Sequence, residues 1–301
     1  MSFNDDARLD SSRVRDSRGR GGRGGKIAAG GGGILVLLFA SLLGINPAIL
    51  EGLGLGGTEQ TQEEPTGPAA IEECETGADA NERVDCRILA TTASLDAFWI
   101  PYLQQYNEQV EQPAVELFDG SVDTQCGTAT SAVGPFYCPA DRSAYFDTEF
   151  FGELESRFGA DGGLLAEEYV VAHEYGHHIQ NHIGTLAASQ EGGTGPTSGA
   201  VRVELQADCF AGLWAAHAAQ TKDSAGRPLM KPFTQDDLRS ALSAAEAVGD
   251  DRIQEAATGQ VNPEGWTHGS SAQRQAWFMQ GYRTGDINQC NTLESGNLDR
   301  P

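Results

Sequence analysis

The stretch that decides the fold is LLAEEYVVAHEYGHHIQNHI, residues 164–183, which is followed by Gly184. Its apolar residues recur at helical spacing, and glycine is typical of the position just after a helix. The sequence therefore predicts one helix over residues 164–183 that ends at Gly184.

Two histidines of this helix are spaced to share a metal ion. His173 and His177 are four residues apart, so they lie on one helix face and can bind the same zinc ion. Glu174 lies about 100° around the helix axis, where it can reach a metal-bound water. We predict that His173 and His177 are zinc ligands and that Glu174 is the catalytic base. The alternative is a surface helix that is rich in histidine.

His178 and His182 form a second pair with the same spacing. Ile179 occupies the position that the base would need in this pair, so we treat it as secondary. A closed, structural zinc site would need His178 or His182 as an additional ligand, whereas a catalytic site keeps one position for water.

An open zinc site needs a third protein ligand, and Glu204 is the candidate. Residues 198–214 (SGAVRVELQADCFAGLW) predict a second helix, on which Glu204 and Asp208 share one face. Glu204 would bind the metal, and Asp208 would accept the second ring N–H of a ligand histidine. Such acidic pairs are common on solvated helices. The prediction that Glu204 binds zinc therefore depends on the two histidines of the helix at residues 164–183.

His268 is the candidate for a donor to the developing oxyanion. It lies in Thr267-His268-Gly269, just before a predicted helix over residues 271–283, and late histidines or tyrosines do this work in thermolysin-like peptidases. Arg274 and Tyr282 are the other candidates. Alternatively, His268 is only a turn residue at the start of that helix.

The composition divides the chain before these helices. The 301 residues carry a formal net charge of −23, yet residues 1–26 hold seven basic and four acidic residues. The acidic remainder would repel phosphate backbones, which argues against nucleic-acid binding. Residues 1–26 have few large apolar side chains, so we predict a disordered basic cytoplasmic tail; an RNA-binding Arg-Gly segment is the alternative.

Residues 27–50 contain no charged side chain and are long enough to span a hydrocarbon core of about 30 Å as a helix. The basic residues before them predict a single transmembrane anchor with the N-terminus in the cytoplasm and the remaining domain outside. A cleaved signal peptide is the alternative. Residues 51–73 are rich in Gly, Pro, Thr and Glu, which predicts a flexible linker.

All six cysteines follow the linker, which favours three disulfides in an oxidising compartment. Local spacing favours Cys74 with Cys86 and Cys126 with Cys138, which leaves Cys209 with Cys290. A cysteine zinc site is the competing interpretation, but the chain has no C-x-x-C pair. Residues 74–301 then form one domain.

Several motifs resemble those of the bacterial putative neutral zinc metallopeptidases. They are His173–Gln180, Glu204–Gly212, Ser271–Phe278, Gly281–Cys290 and Phe136–Asp141, together with the basic Gly-rich start and the single apolar run. The resemblance covers most of the chain except the linker. It implies a single-span membrane protein with a gluzincin-like domain that holds one zinc ion through two histidines and a glutamate.

The expected protein is therefore an α+β, mostly helical zinc peptidase domain with a small sheet, preceded by one transmembrane helix. Its partners would be a peptide or protein substrate and the membrane. A substrate commonly pairs with an exposed sheet edge, and residues 136–139 and 143–147 are the strand-like segments. The alternative is an inactive pseudopeptidase that keeps zinc and acts as a regulatory or binding module.

Overall fold

The computed structural model describes residues 2–19, 69–71 and 73–301. The predicted anchor at 27–50 and most of the predicted linker lie outside these residues. Within the described ranges, no helix combines the length and apolar character needed to cross a membrane.

The described part of the chain is mostly helical. Its α-helices are α1 (Gly77–Glu82), α2 (Val84–Gln104), α3 (Glu149–Ser156), α4 (Leu164–Ile183), α5 (Gly199–His217), α6 (Gln235–Ala247), α7 (Asp250–Thr258) and α8 (Ser271–Thr284). The predicted helix at 164–183 is confirmed at both ends, with Gly184 as its left-handed cap. Thr234 and Asp237 form the capping box expected at the start of α6.

Two sheets accompany the helices. Their strands are β1 (Arg15–Asp16), β2 (Ala69–Ala70), β3 (Ala114–Phe118), β4 (Ser121–Thr124), β5 (Gly127–Thr130), β6 (Phe136–Cys138) and β7 (Ser143–Asp147). The larger sheet has the order β2-β1-β3-β7-β6, and β4 and β5 form a separate hairpin. In the larger sheet β1, β3 and β7 are parallel, whereas β2 and β6 run antiparallel at its edges. The α+β prediction is confirmed, and β6 is an edge strand that lies against α4.

Close helix packing brings the predicted site residues together. A Cβ atom on Gly212 of α5 would lie 1.9 Å from the carbonyl oxygen of Phe278, and one on Gly281 of α8 would lie 1.9 Å from that of Cys209. Only glycine lets the two backbones approach this closely. Gly176 of α4 similarly lies against the backbone of α5, so α5 is packed between the other two helices.

The three predicted disulfides are all present: Cys74–Cys86, Cys126–Cys138 and Cys209–Cys290. No cysteine remains free. The third disulfide joins α5 to the C-terminal region over a sequence separation of 81 residues. Cross-links over such long loops are expected to contribute most to stability.

The prediction of a disordered tail is wrong for residues 2–19. Phe3, Ala7 and Val14 are buried in the main core, and Arg15–Asp16 form strand β1 between β2 and β3. The few apolar residues of this segment pack against the domain, and backbone pairing and ion pairs supply further contacts.

Glu168 on α4 is a buried acid that gives the fold a pH dependence. Both carboxylate oxygens are buried without a hydrogen-bond partner, although the Ser2 side chain lies beside them. Burial is the main cause that raises the pKa of Glu168 from 4.5 to about 8, and Arg87 opposes the shift. Between these two pH values the folded protein keeps a proton that the unfolded chain releases. The free energy of unfolding therefore falls, by about 1.4 kcal/mol for each pH unit.

We expect Glu168→Gln to remove this loss, because the amide does not ionise. The free energy of unfolding of the variant, relative to the native protein, should rise steadily from pH 5 to pH 8 and then level off. Urea unfolding at several pH values measures the difference, in which contributions from other groups cancel. Glu255→Gln, on the exposed face of α7, is the control. A difference independent of pH would show that Glu168 is ionised in the folded protein.

Candidate metal centre

Three side chains from two helices converge on one point. His173 and His177 of α4 and Glu204 of α5 each offer a ligand atom, and these atoms lie within 4.8 Å of one another. The Nε2 atom of His173 is 3.2 Å from Oε2 of Glu204, and Nε2 of His177 is 3.6 Å from its Oε1. All three residues are nearly inaccessible to solvent.

The two separations between a histidine nitrogen and a Glu204 oxygen are close to those around a zinc ion. Ligands bound to zinc at about 2.1 Å with tetrahedral angles lie about 3.4 Å apart. Two imidazole nitrogens and a carboxylate are also the ligand types that zinc prefers in catalytic sites. The structure therefore brings together the three predicted ligands in an arrangement suited to one zinc ion.

The second nitrogen of each histidine is fixed by a hydrogen bond. Nδ1 of His173 lies 2.9 Å from Oδ1 of Asp208, and Nδ1 of His177 lies 2.8 Å from Oε1 of Gln180. Each Nδ1–H can donate to its partner, which leaves Nε2 of both rings for the metal. Asp208 thus lies where the sequence predicted it. Gln180, which also donates to the carbonyl of Val203 on α5, was not predicted to orient a ligand.

Asp208 belongs to a buried charge network behind His173. Its carboxylate accepts hydrogen bonds from Nε of Arg274 at 2.9 Å and from Nη2 at 3.0 Å, and it also accepts from the hydroxyl of Tyr169. Burial alone would raise the pKa of Asp208, but Arg274 and His173 lower it to about 2. The Asp208 carboxylate in turn raises the pKa of His173 to about 9, against the effect of burial.

The same contacts show what Arg274 does. Its guanidinium group donates to Asp208, to the Tyr169 hydroxyl at 3.0 Å and to the carbonyl of Val248 at 3.2 Å. It therefore contacts His173 on the Nδ1 side, away from the side that faces Glu204. Arg274 thus joins Asp208, Tyr169 and the carbonyl of Val248 in one hydrogen-bond network behind His173.

Glu174 lies next to the metal ligands and is almost completely buried. Burial raises the pKa of its carboxyl group, and His177 and His173 oppose this effect. A carboxylate with a raised pKa is a stronger base than an exposed one. Its environment therefore suits the predicted transfer of a proton.

His268 is held next to this site by a short loop. Among the nearby groups, His268 contributes most to lowering the pKa of Glu204, which burial alone would raise. Nδ1 of His268 lies 2.9 Å from the Thr267 hydroxyl and 3.5 Å from Oδ1 of Asp250. The structure thus brings His268 to the predicted centre.

Asp250, the first residue of α7, was not identified from the sequence. Its Oδ2 atom accepts hydrogen bonds from three successive backbone N–H groups, those of Thr267, His268 and Gly269. Asp250 is completely buried. No local pattern connects residues 250 and 268, so only the fold reveals that this carboxylate shapes the loop.

The second histidine pair does not join the metal ligands. His178 uses Nδ1 with the Tyr137 hydroxyl at 3.0 Å and Nε2 with the carbonyl of Glu111 at 2.7 Å. His182 lies near the exposed Glu108. Within the described residues, the metal group at this centre contains only His173, His177 and Glu204. The arrangement favours the open site over the closed, structural one.

A family comparison agrees with this centre. Residues 3–293 match the model of a family described as putative neutral zinc metallopeptidase. The chain belongs to this family. The match includes the N-terminal segment as well as the helices that carry the metal ligands.

Relatives of similar length occur in Mycobacterium tuberculosis and Escherichia coli. The chain is 55% identical to the uncharacterized protein Rv2575 of Mycobacterium tuberculosis over 229 residues, which is 76% of this chain and 77% of the relative. It is 36% identical to the uncharacterized protein YpfJ of Escherichia coli K12 over 297 residues, 95% of this chain and 97% of the relative. No solved structure matches the chain.

Proposed function

We propose that the protein is a zinc peptidase in which His173, His177 and Glu204 hold one zinc ion and Glu174 is the general base. The observation that carries this proposal is the convergence of the three ligand atoms within 4.8 Å, beside a buried glutamate on the same helix. Membership of a zinc metallopeptidase family supports it independently.

The chain supplies the proton transfers of peptide hydrolysis. Zinc, when bound, would acidify a water molecule and polarise the scissile carbonyl. Glu174 takes the proton of the attacking water and delivers it to the leaving amine as the C–N bond breaks. His268 donates a hydrogen bond to the oxygen of the former carbonyl, where negative charge develops. Asp250 and Thr267 hold His268 in position for this contact.

The substrate would bind as an additional strand along β6. This strand lies at the edge of the sheet and against the metal-bearing helix α4, where Tyr137 contacts His178. An extended peptide can form backbone hydrogen bonds with such an edge, which brings a peptide bond next to the helix. The supporting observation is the position of β6 relative to α4.

We also propose that the domain works outside the cytoplasm. Its three disulfides support this location, because disulfides persist mainly in oxidising compartments. Attachment to a membrane through residues 27–50 stays a prediction.

Zinc content tests the ligand set most directly. After extensive dialysis of the full chain, we expect about one zinc ion per native molecule and far less in Glu204→Gln, because the amide replaces an anionic ligand. Elemental analysis measures the metal, and circular dichroism confirms the fold. Glu255→Gln should retain zinc like the native protein. Well-folded native protein without zinc, or a Glu204→Gln variant with equal zinc, would contradict the proposed ligands.

A further inference from the structure

The N-terminal segment 2–19 is built into the domain through its apolar side chains. Phe3 and Val14 are fully buried, and Ala7 is 1% exposed. The side chain of Asn81 pairs with both backbone groups of Phe3, accepting from its N–H and donating to its carbonyl, each at 3.1 Å. Glycine at position 77 accommodates this segment, because a Cβ atom there would lie 2.0 Å from the carbonyl oxygen of Asn4.

Strand β1 places the same segment inside the larger sheet. Arg15 pairs with Glu116 of β3 on one side and with Ala70 of β2 on the other. The backbone N–H of Ser17 continues this pairing by donating to the carbonyl of Leu117 at 2.9 Å. Removing the segment would expose the edge of β3 and leave β2 without its neighbour.

Ion pairs connect the segment to the metal-bearing helix. The guanidinium of Arg13 makes two hydrogen bonds to Asp96 of α2, at 2.6 and 3.0 Å. Asp96 also accepts a hydrogen bond from the hydroxyl of Tyr175, which lies between Glu174 and Gly176 on α4. Asp96 is 7% exposed, so undocking would leave a nearly buried carboxylate without its cation. Arg18 pairs similarly with Asp85, which is also buried.

From these contacts we infer that residues 2–19 remain docked in the functional protein, on the same side of any membrane as residues 73–301. The intervening chain must then leave and return on one side, so it crosses a membrane an even number of times. Its one charge-free run, residues 27–50, has 24 residues. One helical crossing needs about 20 apolar residues and two need about 40. The run is long enough for one crossing and too short for two, and a single crossing there is incompatible with the docking of residues 2–19.

Placing residues 2–19 and 73–301 on one side of a membrane bears on the predicted anchor at residues 27–50. A single span between a cytoplasmic tail and an external domain would separate β1 from β3 by the thickness of the bilayer. The docking of residues 2–19 therefore conflicts with the predicted single span at residues 27–50. The contacts that dock residues 2–19 do not depend on whether the domain cleaves peptides.

Selective labelling of the full chain in intact cells tests the inference. Asp6→Cys and Gln260→Cys place single reactive thiols at exposed positions of the N-terminal segment and the domain. A membrane-impermeant maleimide should label both variants before lysis or neither of them. Labelling of only one position before lysis, with both labelled after lysis, would overturn the inference. The native protein, whose cysteines are all paired, supplies the background.

A cross-link tests the docking of residues 2–19 directly, in the same full-length protein. Arg15 and Glu116 are direct partners across two parallel strands, so Arg15→Cys with Glu116→Cys should form a disulfide under mild oxidation. With a protease site inserted within residues 51–68, the tagged N-terminal fragment should stay attached to the domain until a reductant is added. On a denaturing gel without reductant, the fragment of the double variant should run attached to the domain, whereas the fragment of Arg15→Cys alone should run free. Release from the double variant before reduction would show that the segment is not docked.

Discussion

Glu174→Gln is expected to abolish peptide hydrolysis while zinc stays bound. Glutamine keeps the size of the side chain but cannot accept the proton of the attacking water. General base catalysis contributes a factor of about 10² to 10⁴, so kcat should fall by that amount while KM changes little. The ligand atoms belong to other residues, so the zinc content should equal that of the native protein.

The experiment needs a substrate, which a peptide library can supply before the variant is made. Glu168→Gln is the matched control, since it changes another buried glutamate of α4 that lies outside the metal centre. It should retain the native kcat at pH 6, where Glu168 is protonated in any case. Cleavage by Glu174→Gln at the native rate would remove Glu174 as the base. Zinc binding without cleavage of any peptide by the native protein would favour the pseudopeptidase.

The parts of the site that the sequence predicts are those governed by local spacing. Residues four apart on a helix share a face whatever the rest of the chain does, which placed His173 with His177 and Glu204 with Asp208. Cysteine pairing was also predictable, because two of the three disulfides close short loops. The ends of α4 followed from apolar periodicity and Gly184.

The parts that the sequence did not predict depend on contacts between distant segments. Asp250 shapes the His268 loop across the packing of two helices, and nothing near residue 250 indicates that partner. The N-terminal segment has too few apolar residues to fold alone, which is why its composition predicted disorder. It is ordered because the domain supplies an open strand edge at β3 and buried acids such as Asp96 for its arginines.

Arg274→Met should lower the free energy of unfolding by about 3–5 kcal/mol, the usual cost of breaking a buried ion pair from one side. Arg274 and Asp208 are 3% and 0% exposed, respectively, so neither charge can be hydrated after the other is removed. The variant would leave the Asp208 carboxylate with only the Tyr169 hydroxyl and the ring of His173 as partners. Urea unfolding of the zinc-free proteins measures the change, and Arg252→Met, at an exposed position, should alter stability by less than about 0.5 kcal/mol.

The double variant Arg274→Met with Asp208→Asn separates charge from packing. Because no uncompensated carboxylate remains, we expect it to recover part of the stability that Arg274→Met loses. It should still bind zinc about 10- to 100-fold more weakly than the native protein, since His173 loses its anionic hydrogen-bond partner. If the double variant recovers stability, the role of Arg274 is to balance the charge of Asp208. If its zinc affinity stays low, the role of Asp208 is to orient His173. If Arg274→Met is as stable as the native protein, the guanidinium does not have this role and the Asp208 carboxylate must be compensated in another way.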